Sequence, residues 1–118
     1  MTRRGEDLQR RLMLRGVASP DLDACDRLAR CATTLNRLGE ESCNGPGAWV
    51  DRIPYPRAGE IYAAHETRVA RDTGRAEARA ARAAAVLGFD LVIQGDPRGA
   101  PLGLITDPSD PERVTWVY

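Results

Sequence analysis

The amino-acid sequence predicts an α+β fold, with two or three helices followed by a small antiparallel β-meander. Three observations predict it. Apolar residues recur at steps of three and four as far as Leu87. From Phe89 onward they alternate with polar ones. All the helical patterns precede all the strand patterns, the order of an α+β rather than an α/β chain. The 118 residues fit one domain spanning 1–118, with 1–16 readable as a flexible basic arm. A hydrophobic share of 42% and a charged share of 29% mark a globular chain, not a disordered one. No apolar run approaches the ~18 residues of a membrane span, and MTRRGEDLQR does not read as a secretory signal, so no membrane partner is expected. Solenoid and collagen-like repeats are also excluded.

The first segment, 1–16, carries Arg3, Arg4, Arg10, Arg11 and Arg15, with Leu8 and Leu12 one helical turn apart and Gly16 as its stop. The second helix opens at Ser19-Pro20-Asp21, read as an N-cap, a first-position proline and a first-turn acid. Leu22, Cys25, Leu28, Ala32, Leu35 and Leu38 form its buried stripe, and Gly39 is its expected C-cap. Arg27, Arg30 and Arg37 lie off that stripe and read as solvated. Residues 40–58 read as a loop, because Asn44-Gly45 and Pro46-Gly47 are turn dipeptides and Pro54 and Pro56 stop a helix. Its Trp49, Ile53 and Tyr55 are either functional or packed over the core, and packing is the simpler expectation.

The third helix, 58–87, is the longest element. Ile61, His65, Val69, Ala76, Ala80, Ala83 and Leu87 share one face, and Gly88 caps the end. Alanines cover much of the rear, which suits either close approach of another helix or simple helix propensity. Gly74 inside it marks a weak point or a close contact. Phe89, Leu91 and Ile93 then alternate as a first strand. Asp96-Pro97-Arg98-Gly99 reads as a type I turn, Leu102 to Thr106 as the return strand, and Asp107 to Pro111 as a second turn. Val114, Trp116 and Tyr118 alternate as a third strand.

There are 17 basic and 17 acidic residues, and every basic residue is arginine. Each cation is therefore a planar, permanently charged fork suited to carboxylate or phosphate, and none is a candidate Schiff-base or general-base amine. Zero net charge argues against strong non-specific DNA binding. Residues 1–87 hold 15 Arg against 12 acids, and 88–118 hold two against five, an asymmetry that can steer head-to-tail assembly. Cys25, Cys31 and Cys43 are odd in number and point to free thiols. Cys25 and Cys31 lie too far apart around a helix to share a metal with His65, so no metal and no cofactor is expected.

Two constellations stand out as candidate anion sites. Arg68, Arg71, Arg75, Arg79 and Arg82 fall within an arc of roughly 80° on the third helix, with Asp72 as the nearby acid. A solvated face of local ion pairs is the simpler explanation, and a bound anion is the functional one. Gln94-Gly95-Asp96-Pro97-Arg98-Gly99 is the second, with Asp96 either capping its own turn or orienting the Arg98 fork. The candidate ligand-binding set is Arg98, Asp96, Gln94, Arg75, Arg79, Arg82 and Asn44. A thiol enzyme would draw on Cys43 with His65, and with Asp96, but nothing in the spacing favours it. His65 sits on the apolar stripe and reads as a hydrogen-bonded core histidine. No glycine-rich phosphate loop is present.

Over residues 25–106 the layout resembles a group of short, uncharacterised bacteriophage proteins. These place a Leu-rich helix before a Cys-Asn-(Gly) loop, here Cys43-Asn44-Gly45, then a helix, then a hairpin through the turn seen here at Gln94 to Gly99. The resemblance implies a viral or prophage origin and action in the host cytoplasm, and it supplies no activity. The leading expectation is a small, non-catalytic phage accessory protein. It would bind an anionic small molecule such as a nucleotide signal, or a host protein complex, in a counter-defence role and as a homo-oligomer. The alternatives are a cysteine enzyme using Cys43 and His65, and a virion structural or nucleic-acid-binding component held by Trp49, Trp116 and the arginine faces.

Overall fold

The computed structural model describes the backbone of residues 3–118 and the side chains from Gly5 onward. Helix α1 spans Arg3–Leu14, α2 Leu22–Asn44 and α3 Arg57–Leu87, with a 3-10 turn at Ala48–Arg52. Strands β1 (Asp90–Val92), β2 (Leu102–Ile105) and β3 (Val114–Val117) follow. The sheet runs in the order β1-β2-β3 with both pairings antiparallel, so the chain is α+β with a meander at its end.

Residues 3–14 are a core element rather than a loose arm, because Leu8 and Leu12 are fully buried against α2. Met1 and Thr2, and the side chains of the arginines at 3 and 4, lie outside the described residues. Helix α2 starts two residues later than Ser19 suggested. Asp21 is the N-cap, its carboxylate accepting from the Ala24 N–H at 2.9 Å. The helix also runs through Gly39 to Asn44 and is capped by Gly45. Buried Leu38 and an anchored Glu41 outweigh the ~1 kcal/mol cost of one interior glycine. Cys43 and Asn44 therefore form the last turn of α2, not a loop. The aromatic residues of the connection do not pack over the core: Trp49 and Tyr55 are exposed, and Val50 is the residue buried there.

The main core gathers α1, the first half of α2, the last two turns of α3, and the inner face of the sheet. Inward on β3 are Thr115 and Val117, so Val114 and Trp116 of the alternating set lie on the outer face. Gly103 makes room for them there. It pairs with Trp116, and a Cβ there would lie 2.3 Å from Val114 Cγ1 and 2.9 Å from the Trp116 ring. The large β3 residues fold over the outer face because β2 leaves a gap for them. The far half of the α2–α3 hairpin projects beyond this core. The molecule measures 58 × 30 × 23 Å with a radius of gyration of 17.2 Å, against about 13.5 Å for a compact chain of this length.

Candidate functional site

The structure scatters the sequence-predicted ligand residues: Arg79 and Arg82 fall in one cluster, Arg98 and Asp96 in a second region, and Arg75, Gln94 and Asn44 in neither. Arg79 and Arg82 lie on the flank of α3 that faces α2. There they meet Arg27 and Arg30, one turn apart on α2, across a groove of about 460 Å³ also lined by Cys31 and Thr34. Arg27 pairs with Asp23 at 3.0 Å and Arg30 with Asp26 at 2.9 Å. Arg79 and Arg82 have no carboxylate partner among the described residues. Among the described residues, the four guanidiniums that line the groove pair with two carboxylates, which leaves it positive. Burial pushes the Cys31 thiol pKa up, and the Arg79 and Arg82 charges pull it partly back, so the thiol forms an uncharged floor.

Towards the hairpin tip of the same flank, Arg68 and Arg71 are paired. Arg68 pairs with Glu41 of α2 at 2.7 Å and with Asp72 at 3.4 Å. The hydrogen bond from Arg68 holds the Glu41 carboxyl below the ordinary range. Arg71 approaches Asp72 at 3.5 Å. Arg75 is exposed and has no ion pair among the described residues. Positive charge is therefore neutralised towards the hairpin tip and left open towards the core. No known protein family, curated protein or solved structure matches the chain.

Arg98 lies elsewhere. With Arg11 and Arg15 of α1 it borders an opening of about 300 Å³ beside β3, lined also by Thr115, Trp116 and Tyr118. Arg11 donates to the Trp116 carbonyl and sits 5.6 Å from the Tyr118 ring centroid. Asp96 acts within its own turn. Its Oδ1 accepts from the Arg98 N–H at 3.1 Å and its carbonyl from the Gly99 N–H at 2.8 Å. Its Oδ2 accepts from the Tyr118 hydroxyl at 2.7 Å and pairs with Arg98 at 3.5 Å. Gln94 lies on a shallow groove on the sheet with Trp116, and Asn44 is exposed at the end of α2. Neither joins an arginine cluster.

The cysteine constellation is not assembled. The His65 Nε2–H donates to the Glu41 carbonyl at 2.9 Å, Cys43 is exposed, and Asp96 is held by Tyr118 in the hairpin turn. Among the described residues no group of three or more His, Cys, Asp or Glu could hold a metal, and no helix is long and apolar enough to cross a membrane. Sequence reasoning passed over Arg27, Arg30, Cys31 and Thr34. The available signal was the one-turn spacing of Arg27 and Arg30 on α2, repeated by Arg79 and Arg82 on α3.

Proposed function

We propose that this protein is a non-catalytic binder of a small phosphate-bearing anion, held between α2 and α3 by Arg27, Arg30, Arg79 and Arg82. One observation carries the reading: Arg79 and Arg82 face two more arginines across an open groove with no carboxylate of their own among the described residues. Bringing guanidiniums together costs Coulomb repulsion, and an anion between them removes it. The Arg27 and Arg30 side chains stay 66% and 65% exposed in their pairs with Asp23 and Asp26, within reach of a second acceptor. A positive groove lined by guanidinium forks suits a phosphate. The resemblance to phage proteins supplies the setting for this reading, a counter-defence protein in the host cytoplasm that takes up a nucleotide signal.

The test is calorimetric titration of the full chain with pyrophosphate and then with a nucleoside diphosphate. Replacing Arg79→Ala or Arg82→Ala should weaken binding roughly tenfold each, the loss of one charge-assisted hydrogen bond of about 1.5 kcal/mol. Arg98→Ala should leave it unchanged. No heat of binding in the wild type, or equal affinity in all variants, would end the proposal.

A further inference from the structure

We infer that copies of this chain stack side by side through the α2–α3 hairpin, the arginine flank of one α3 seating on the opposite flank of the next. The inference goes beyond anion capture and does not rest on it.

That opposite flank is a groove of about 490 Å³ between the two helices, with Leu35, Leu38 and Val69 among its lining residues. It lies where the hairpin projects past the main core. A Cβ built at Gly39 or Gly74 would meet nothing within 4 Å, so the groove stays open at both. Glu66 and Glu77 border it, and neither has an ion pair among the described residues. One flank of α3 thus carries unpaired acids, and the other carries Arg75, Arg79 and Arg82 without an ion pair among the described residues and an exposed Arg71 whose acid is its own neighbour Asp72 at 3.5 Å.

The spacings agree. Glu66 and Glu77 are eleven residues apart, and so are Arg71 and Arg82. Eleven residues are three helical turns, so each pair shares a face and its members lie about 16 Å apart along the axis. Two parallel α3 helices displaced by five residues set Arg71 against Glu66 of the next copy and Arg82 against its Glu77. The same displacement lays the stem of Arg75 over Ala70 and that of Arg79 over Gly74, where small residues leave room. A two-fold arrangement of groove on groove instead brings Glu66 against Glu66 or Glu77, which is repulsive in either direction. The charge pattern therefore selects a heterologous row that does not close on itself as a dimer. Arg79 and Arg82 also belong to the anion groove, so a neighbour and a bound anion compete for them.

Sedimentation velocity on the full chain tests this with two charge-reversed variants, Glu66→Arg with Glu77→Arg, and Arg71→Glu with Arg82→Glu. Far-UV circular dichroism of each checks that the helices persist. The wild type should sediment as a concentration-dependent series above the monomer, and each variant alone as a monomer. An equimolar mixture should regain the large species, because reversed flank then meets reversed groove and the two remaining native faces also match. A wild type that stays monomeric, variants that assemble like the wild type, or folded variants whose mixture stays monomeric would each overturn the inference.

Discussion

Asp96 and Tyr118 tie the hairpin turn to the end of the sheet, and their bond defines a pH window. The Tyr118 hydroxyl, and next the Arg98 backbone N–H, hold the Asp96 carboxyl below its ordinary value. A depressed folded pKa contributes stability above the unfolded value, and that contribution is lost as pH falls through the folded one. The same bond raises the Tyr118 pKa, so on the alkaline side its contribution is lost as pH rises through that raised value. Thermal melts of Tyr118→Phe should therefore show a smaller drop between pH 7 and pH 3 than the wild type shows. Gly103→Ala should destabilise by about 1–3 kcal/mol in urea, because the new Cβ meets Val114 and the Trp116 ring. Among the thiols, burial lifts the Cys25 pKa to about 11, leaving about one thiolate per thousand at pH 8. Mass-mapped alkylation should label exposed Cys43 well before Cys25. At this scale the Asp96 turn was legible, since Asp, Pro and Gly each have a local reason to sit where they do. The role of Tyr118 was not, because its partner lies 22 residues away.

Gly74 shows how an element can depart from its own best sequence. It is exposed inside α3 with open space where a Cβ would go. Gly74→Ala should raise stability by about 1 kcal/mol in urea denaturation, from helix propensity alone. The third helix was legible almost to its ends, Arg57 against an expected 58, because a long run of alanine and arginine at helical spacing has no competitor. The end of α2 was misread for the opposite reason. Gly39 is a local stop signal, and the contacts that override it come from α3, through His65 and Arg68 to Glu41. The alternation of β3 was legible but not its inward face, because Val114 and Trp116 point outward over Gly103, a pairing the sequence does not display.

On the scale of the whole molecule, the two constellations that the sequence pattern suggested remain two separate arginine clusters, each with neighbours the pattern did not show. Arg98 pairs its position with α1, a segment read as an arm. Arg79 and Arg82 pair theirs with Arg27 and Arg30, read as solvated. Which helix flanks face each other is a tertiary property, and periodicity along one helix cannot report it. The order of elements was legible, because it needs only the change of period from about 3.6 to 2. Competition for Arg79 and Arg82 makes a further prediction: pyrophosphate should shift the sedimentation profile towards the monomer, and sodium chloride of equal ionic strength should do so less. The most direct test of anion capture is a crystal structure of the protein soaked in selenate, read by anomalous scattering. The account predicts a selenium peak within hydrogen-bond reach of Arg79 and Arg82 and between them and Arg27 and Arg30. A fully soaked crystal with that groove open to solvent and no peak in it would contradict the account.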